Sequence, residues 1–396
     1  MKPILSENIG EEKLRREITS KSISIGADKM ETKQKRTKTA VSILVLAGLV
    51  VFALTAIGGN LEPSAPPGPT MKTLDEVEPR IPISSVPFTI SQSGSYYLTG
   101  DLEAAYCGDH GIRIDANNVT IDLCGFSLYE PTFSCTYDGI TVLNFHDNIT
   151  ICNGTIRGFG QDGVDLSNAK NCRLIDLRVF NNGQDGLSTG GASYISGCTV
   201  QSNGDDGIHA FYGSMVTGNI VYDNADVGIY AGIRTMVKGN MVYDNGGHGI
   251  YAGGSSMITG NTVCFNGGYG IRTAGYDCMV TSNKSRSNGA YGIYAYEGCT
   301  VIGNSVSNNS WAGILSLWGC TVTGNTARSN GDDGIYAYGS GTVIGNTAYY
   351  NQNHGIQLGG NCLVDQNSAY NNNQSGGGYS NIESCGTCTF GLNHAP

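Results

Sequence analysis

The sequence predicts an all-β fold, a right-handed parallel β-helix of about 12 coils of about 21 residues, preceded by one transmembrane helix. Three observations carry this. A Gly-apolar pair returns at a nearly fixed interval, asparagine and valine hold fixed places within that interval, and an uncharged apolar run follows a basic segment.

From the N-terminus, residues 1–39 hold 10 Lys/Arg against 6 Asp/Glu and residues 57–396 hold 13 against 27, so the two parts carry +4 and −14. Residues 40–57, AVSILVLAGLVVFALTAI, are 18 uncharged residues, which as a helix span roughly 27 Å. Lys33, Lys35, Arg36 and Lys38 precede this run, and Glu62, Asp75, Glu76 and Glu78 follow it. The positive-inside rule then makes 1–39 a cytoplasmic basic tail and 40–57 a signal anchor, with everything beyond it outside the cell membrane. A cleaved signal peptide is the competing reading, against which 39 residues make a long leading region. Residues 58–78, with PSAPPGP, read as an extended Pro/Gly-rich linker. All 13 cysteines lie beyond the apolar run, in keeping with an oxidising compartment. The acidic exported part lacks a basic stripe to neutralise phosphates, so nucleic acid is not an expected partner.

Residues 79–390 form the solenoid and 391–396 a short tail. Glycine before an apolar residue recurs at Gly111, Gly139, Gly163 and Gly186, then at Gly207, Gly228, Gly249, Gly270, Gly292, Gly313, Gly334 and Gly355, a step of 21 residues, once 22. Five residues before each apolar partner stands an asparagine, from Asn182 through Asn351, and a second asparagine column runs from Asn219 to Asn367. Around them lie runs such as CTVIGN, NTA and GIYAY, too short for helices and written in strand period. Three such strands bury their apolar positions only by stacking on the next copy, with Val216, Val237, Ile258 and Val280 in one inward stack and the Gly-Ile isoleucines in another. Asparagine is expected to take the left-handed turn itself and to bond its counterpart in the next coil. A leucine-rich repeat would need leucine-dominated periods, which are absent.

The stretch EPRIPISSVPFTISQSGSYYLTGDL, then GIRIDANNVTIDLCGFSL and the N-x-x-x-x-G-I coils, resembles bacterial right-handed β-helix repeat proteins of the pectate-lyase-like superfamily over about residues 78–390. That resemblance implies the fold and leaves function open, because the scaffold hosts lyases, hydrolases, epimerases, adhesins and binding proteins.

Gly204-Asp205-Asp206-Gly207 and Gly247-His248-Gly249 are similar to polygalacturonase motifs, with Asp185 one coil earlier. Asp185, Asp205, Asp206 and His248 are therefore the catalytic candidates, since two carboxylates and a histidine suit acid-base cleavage of a glycoside. Both motifs recur, at Asp332-Asp333-Gly334 and His354-Gly355, and Val227, Tyr269 and Ala312 share the column, so a tolerant turn position competes with catalysis. Asp162, Asp185 and Asp206 on consecutive coils resemble a pectate-lyase-type calcium site. Calcium is thus the one cofactor considered, and none is required. Met215, Met236, Met257 and Met279 form an outward column suited to Cu(I), and the chain broadly resembles periplasmic β-helix proteins that aid nitrous-oxide reductase maturation; a plain apolar strip is the other reading.

Tyr230, Tyr251, Tyr294 and Tyr336 share an outward column, with Tyr296 and Tyr338 two residues further on; such rows offer ring faces to sugars or hot spots to a protein, or simply reflect β propensity. Cys278, Cys299 and Cys320 read as buried structural thiols, and Cys385 with Cys388 as a disulfide capping the solenoid's end. Even coils without loop insertions argue for a binding or structural rod facing cell-envelope polysaccharide. The alternatives are a polysaccharide lyase or glycoside hydrolase, a protein-binding adhesin, and a copper-handling periplasmic protein.

Overall fold

The computed structural model describes residues 80–104, 108–132, 136–383 and 386–396. The expected tail, anchor and linker lie outside these, and among the described residues no helix is long and apolar enough to cross a membrane.

Every coil is a three-sided turn of parallel strands. The Gly-Ile strands stack as one sheet of 13 strands, from Phe88–Ile90 and Ile112–Ile114 to Ile335–Ala337 and Ile356–Leu358. The other two sides, typified by Met257–Thr259 and Thr262–Cys264, belong to one 26-stranded sheet, because Ile149–Arg157 and Arg173–Phe180 run unbroken round the corner between them. Thirteen coils thus replace the expected 12. The first coil enters its Gly-Ile strand through Pro87-Phe88, so a search for glycine passes over it.

The core follows from period-two alternation within three-residue strands. Val216, Val237, Ile258, Val280, Val301, Val322, Val343 and Val364 are wholly buried in one stack, and Ile208, Ile229, Ile250, Ile271 and Ile293 in another. Register is kept along these stacks, for example Val237 to Ile258 and Ile229 to Ile250.

The corners differ from expectation in one respect. The residue in left-handed backbone is not the ladder asparagine but the one before it: Asp223, Asp244 and Phe265 precede Asn224, Asn245 and Asn266, and Gly218, Gly239 and Gly260 precede Asn219, Asn240 and Asn261. The left-handed residue turns the chain and delivers the asparagine side chain inward. There its amide bonds the coils on both sides. Asn261 Oδ1 accepts the Asn240 backbone N–H at 2.9 Å and the Asn240 Nδ2 at 3.0 Å, while its own Nδ2 donates to the Val237 carbonyl at 2.9 Å and to Asn283 Oδ1 at 3.0 Å.

The third corner repeats the device with smaller groups. Cys172, Ser193, Ser214, Thr235, Ser256, Cys278, Cys299, Cys320, Gly341 and Cys362 form its column, and Ser193 Oγ and Ser256 Oγ accept backbone N–H groups from the preceding coil. The cysteines are buried here as expected, and burial pushes the Cys172 thiol up to about 11. Asn381 and Asn393 prolong the two asparagine ladders into the C-terminal segment, whose Thr389–Phe390 strand pairs with Leu363–Asp365.

Candidate functional site

The outer face of the Gly-Ile sheet carries two adjacent columns with chemistry. The first lies in the turn just before each glycine. It runs His110, Asp138, Asp162, Asp185, Asp206, Val227, His248, Tyr269, Tyr291, Ala312, Asp333 and His354. The second is the outward middle residue of each strand, His209, Tyr230, Tyr251, Arg272, Tyr294, Leu315 and Tyr336 in successive register.

Acidic and histidine side chains in the turn column have a structural duty. Asp162, Asp185 and Asp206 each use Oδ1 to accept the backbone N–H of the equivalent residue one coil on, at 2.9, 3.0 and 2.9 Å. Asp333 does the same for His354, and His248 Nδ1 for Tyr269. The recurrence of Asp-Gly and His-Gly therefore has a packing cause. Asp162, Asp185 and Asp206 nevertheless each have a second oxygen, while that of Asp138 lies 3.1 Å from His110 Nδ1.

At the end of that run the two columns meet. His209 Nδ1 lies 3.3 Å from Asp185 Oδ2 and 3.6 Å from Asp206 Oδ2. Burial and the neighbouring Asp185 push the Asp206 carboxyl up to about 7, and burial with Asp185 and Asp138 takes Asp162 to about 8. Burial opposes a charge on His209, but the Asp185 hydrogen bond and the charges of Asp185, Asp206 and Asp205 outweigh it and raise its pKa. Asp205 lies at the rim beside Asp206 and Asp226.

The structure thus brings Asp185, Asp205 and Asp206 together and joins them to His209, whereas His248 stands two coils further on among aromatic rings. The signal for His209 was its place as the sole histidine of the mid-strand column. Two sets among the described residues could hold a metal ion, Asp185 with Asp206 and His209, and Asp205 with Asp206 and Asp226, each with ligand atoms within 4.8 Å of one another. The imidazole in the first set suits a transition metal better than calcium, which prefers six to eight oxygens.

The tyrosine row is real but differently oriented from the expectation. Tyr230 and Tyr251 stack on each other at 4.8 Å and 11°, as do Tyr222 and Tyr243 at 4.8 Å and 4°. Their faces are spent on one another and edges meet solvent. Leu315, almost wholly buried, and Arg272 interrupt the row. Tyr338 packs edge-on to Trp318 and Tyr296 edge-on to Tyr276. Beside Tyr230 and Tyr251 lies a shallow depression of about 430 Å³, lined in part by Gly253, Gly254 and Gly275 and by Tyr276, which is 58% exposed. Tyr212 lies across Gly191, where an added Cβ would fall 2.5 Å from its ring. Neither Tyr212 nor Tyr276 belongs to the expected set.

A family model described as a right-handed β-helix region matches residues 90–235 and 229–321. The chain belongs to the right-handed β-helix family. No curated protein matches this β-helix chain. Among solved structures it is similar to the A-module of the Azotobacter vinelandii mannuronan C-5 epimerase AlgE6, with 16% identity, a TM-score of 0.53, and 73% of this chain and 89% of that one covered. It is also similar to the periplasmic alginate epimerase AlgG, at 13% identity and a TM-score of 0.43 over 73% of this chain and 78% of that one. The Dettilon tailspike protein gp208 follows at 16% and 0.39 over 77% and 61%. These likenesses are of fold.

On another side of the β-helix, Met215, Met236, Met257 and Met279 stand in register and point outward, three of them more than a third exposed. Cys388 is disulfide-bonded, and Cys385, the partner expected for it, lies outside the described residues.

Proposed function

We propose that this protein is a membrane-tethered, extracytoplasmic β-helix that binds an extended polysaccharide across the outer face of its Gly-Ile sheet. The observation that carries the reading is the depression beside Tyr230 and Tyr251. It is open, it spans consecutive coils, and its volume of about 430 Å³ falls within the range of small-ligand clefts. Four glycines in its lining keep it open, Tyr276 offers an exposed ring, and Tyr230 and Tyr251 offer hydroxyls. A repeating ligand suits a site that repeats every coil, about 4.8 Å. In keeping with this, one solved protein of the same fold is by name a mannuronan epimerase.

The test is retention on immobilised polysaccharides. Replacing Tyr230, Tyr251 and Tyr276 by Ala should weaken binding by roughly five- to thirtyfold per contact, with circular dichroism unchanged. Unaltered retention by the triple variant overturns the reading.

One observation favours a second reading, catalysis at Asp185, Asp206 and His209. A carboxyl that titrates near neutrality beside a histidine is suited to exchanging a proton with a bound sugar. New reducing or unsaturated ends released by the wild type, and not by His209→Gln, would establish it. Absence of both, together with no deuterium uptake from heavy water into any polysaccharide retained by the wild type, would remove it.

A further inference from the structure

Arg272 is the one cation in the mid-strand row between His209 and Tyr336, standing where the flanking coils place Tyr251 and Tyr294. Its guanidinium carbon lies 5.2 Å from the Tyr251 ring centre, 5.7 Å from Tyr269 and 5.9 Å from Tyr294. Three rings thus hold the planar group in place. In a chain with net charge −10 it has taken no acidic partner: no carboxylate among the described residues lies within ion-pair distance of it. Its Nε is buried without a hydrogen-bond partner.

The neighbouring histidine sharpens the point. His248 Nδ1 accepts the Tyr269 backbone N–H at 3.0 Å, so the neutral imidazole must carry its proton on Nε2. That Nε2 lies 3.3 Å from Arg272 Nη1. With that tautomer two N–H donors face each other across 3.3 Å, and neither can accept from the other. Burial, then the charge of Arg272, lowers the His248 pKa, which keeps the imidazole in this neutral donor form. Facing donors lacking an acceptor, one of them a fixed cation, call for an oxyanion. Arg234, also outside any ion pair among the described residues, lines the adjacent depression.

We propose that His248 and Arg272, walled by Tyr251, Tyr269 and Tyr294, form a subsite for an anionic group, carboxylate or sulfate, of the polysaccharide that occupies the outer face. This deepens the polysaccharide reading and rests on it. The ligand is then a carboxylated or sulfated glycan, and a neutral glycan leaves the two donors unmatched.

The full-length protein is titrated with three oligosaccharides of matched length: a polyuronate, a sulfated glycan and a neutral glucan. Wild type should bind at least one anionic chain more tightly than the glucan, with affinity falling as salt rises, and the preferred chain reports whether carboxylate or sulfate is taken. Arg272→Gln should weaken the anionic chain about tenfold to a hundredfold and leave the glucan unchanged. His248→Gln, which keeps a donor amide, should lose less than His248→Ala. Thermal melts check that the variants remain folded, and the salt dependence of the wild type needs no variant. Equal binding of all three chains, or an Arg272→Gln variant that keeps its anionic preference, overturns the subsite while leaving polysaccharide binding in place. Binding of none of them by the wild type overturns both.

Discussion

Replacing Asn261 by Leu isolates what an asparagine ladder contributes to this solenoid. Asn261 is 1% exposed and takes part in four side-chain hydrogen bonds, three with the preceding coil and one with the next. Leucine fills a similar volume but bonds to nothing. The Asn240 backbone N–H then loses its ladder acceptor inside the stack, at about 1 to 3 kcal/mol. The Asn240 amide retains the Val216 carbonyl and Asn283 Oδ1 retains the Asn261 backbone N–H, so these lose only part of their bonding, about 1 kcal/mol apiece. The expected loss is therefore about 3 to 5 kcal/mol. Lys238→Leu in the preceding coil is the control, since Lys238 is exposed and should change stability by less than about 0.5 kcal/mol. Urea denaturation followed by circular dichroism measures both. Equal midpoints would mean that ladder bonds and exposed positions count alike, and the account of the corners would fall.

Glycine separates two causes in the same assay. At Gly249 an added Cβ meets Val263 Cγ1 at 2.3 Å and the Gly270 carbonyl at 2.7 Å, so Gly249→Ala should disrupt the coil. At Gly260 nothing lies within 4 Å and only the positive φ is strained, so Gly260→Ala should cost about 1 kcal/mol. Stability should also fall as pH rises. Burial lifts Asp162 to about 8, and Asp206 and Asp333 to about 7, from an unfolded value near 4, so the unfolded chain releases protons that the fold retains between about pH 4 and 8. The urea midpoint should be higher at pH 5 than at pH 8, and Asp162→Asn should flatten the difference; a midpoint that rises with pH would contradict the burial argument. Protease added to intact cells should remove the solenoid and spare residues 1–39, whereas loss of an N-terminal tag would reverse the expected topology.

The fold was legible because each coil must solve the same three problems, burying a strand, turning a corner and pairing with its neighbour, and solves them with the same residue types. Valine at 237, 280 and 301 and asparagine at 240, 261 and 283 register in the sequence as period. The site was legible only in part, for the complementary reason that chemistry resides where the period lapses. Asp206 and His248 stood out by resembling motifs, yet each also serves the turn by accepting a backbone N–H, so their recurrence concealed which copy has further work. His209 and Arg272 carry no motif. Each is a single departure in the outward column, in positions whose core neighbours Ile208 and Ile271 are unchanged. A substitution on the outer face costs the solenoid little, so the column tolerates tyrosine, leucine or glutamine without altering the coil. Three rings hold Arg272 there, but no carboxylate among the described residues matches its charge, which is left for what it meets from outside.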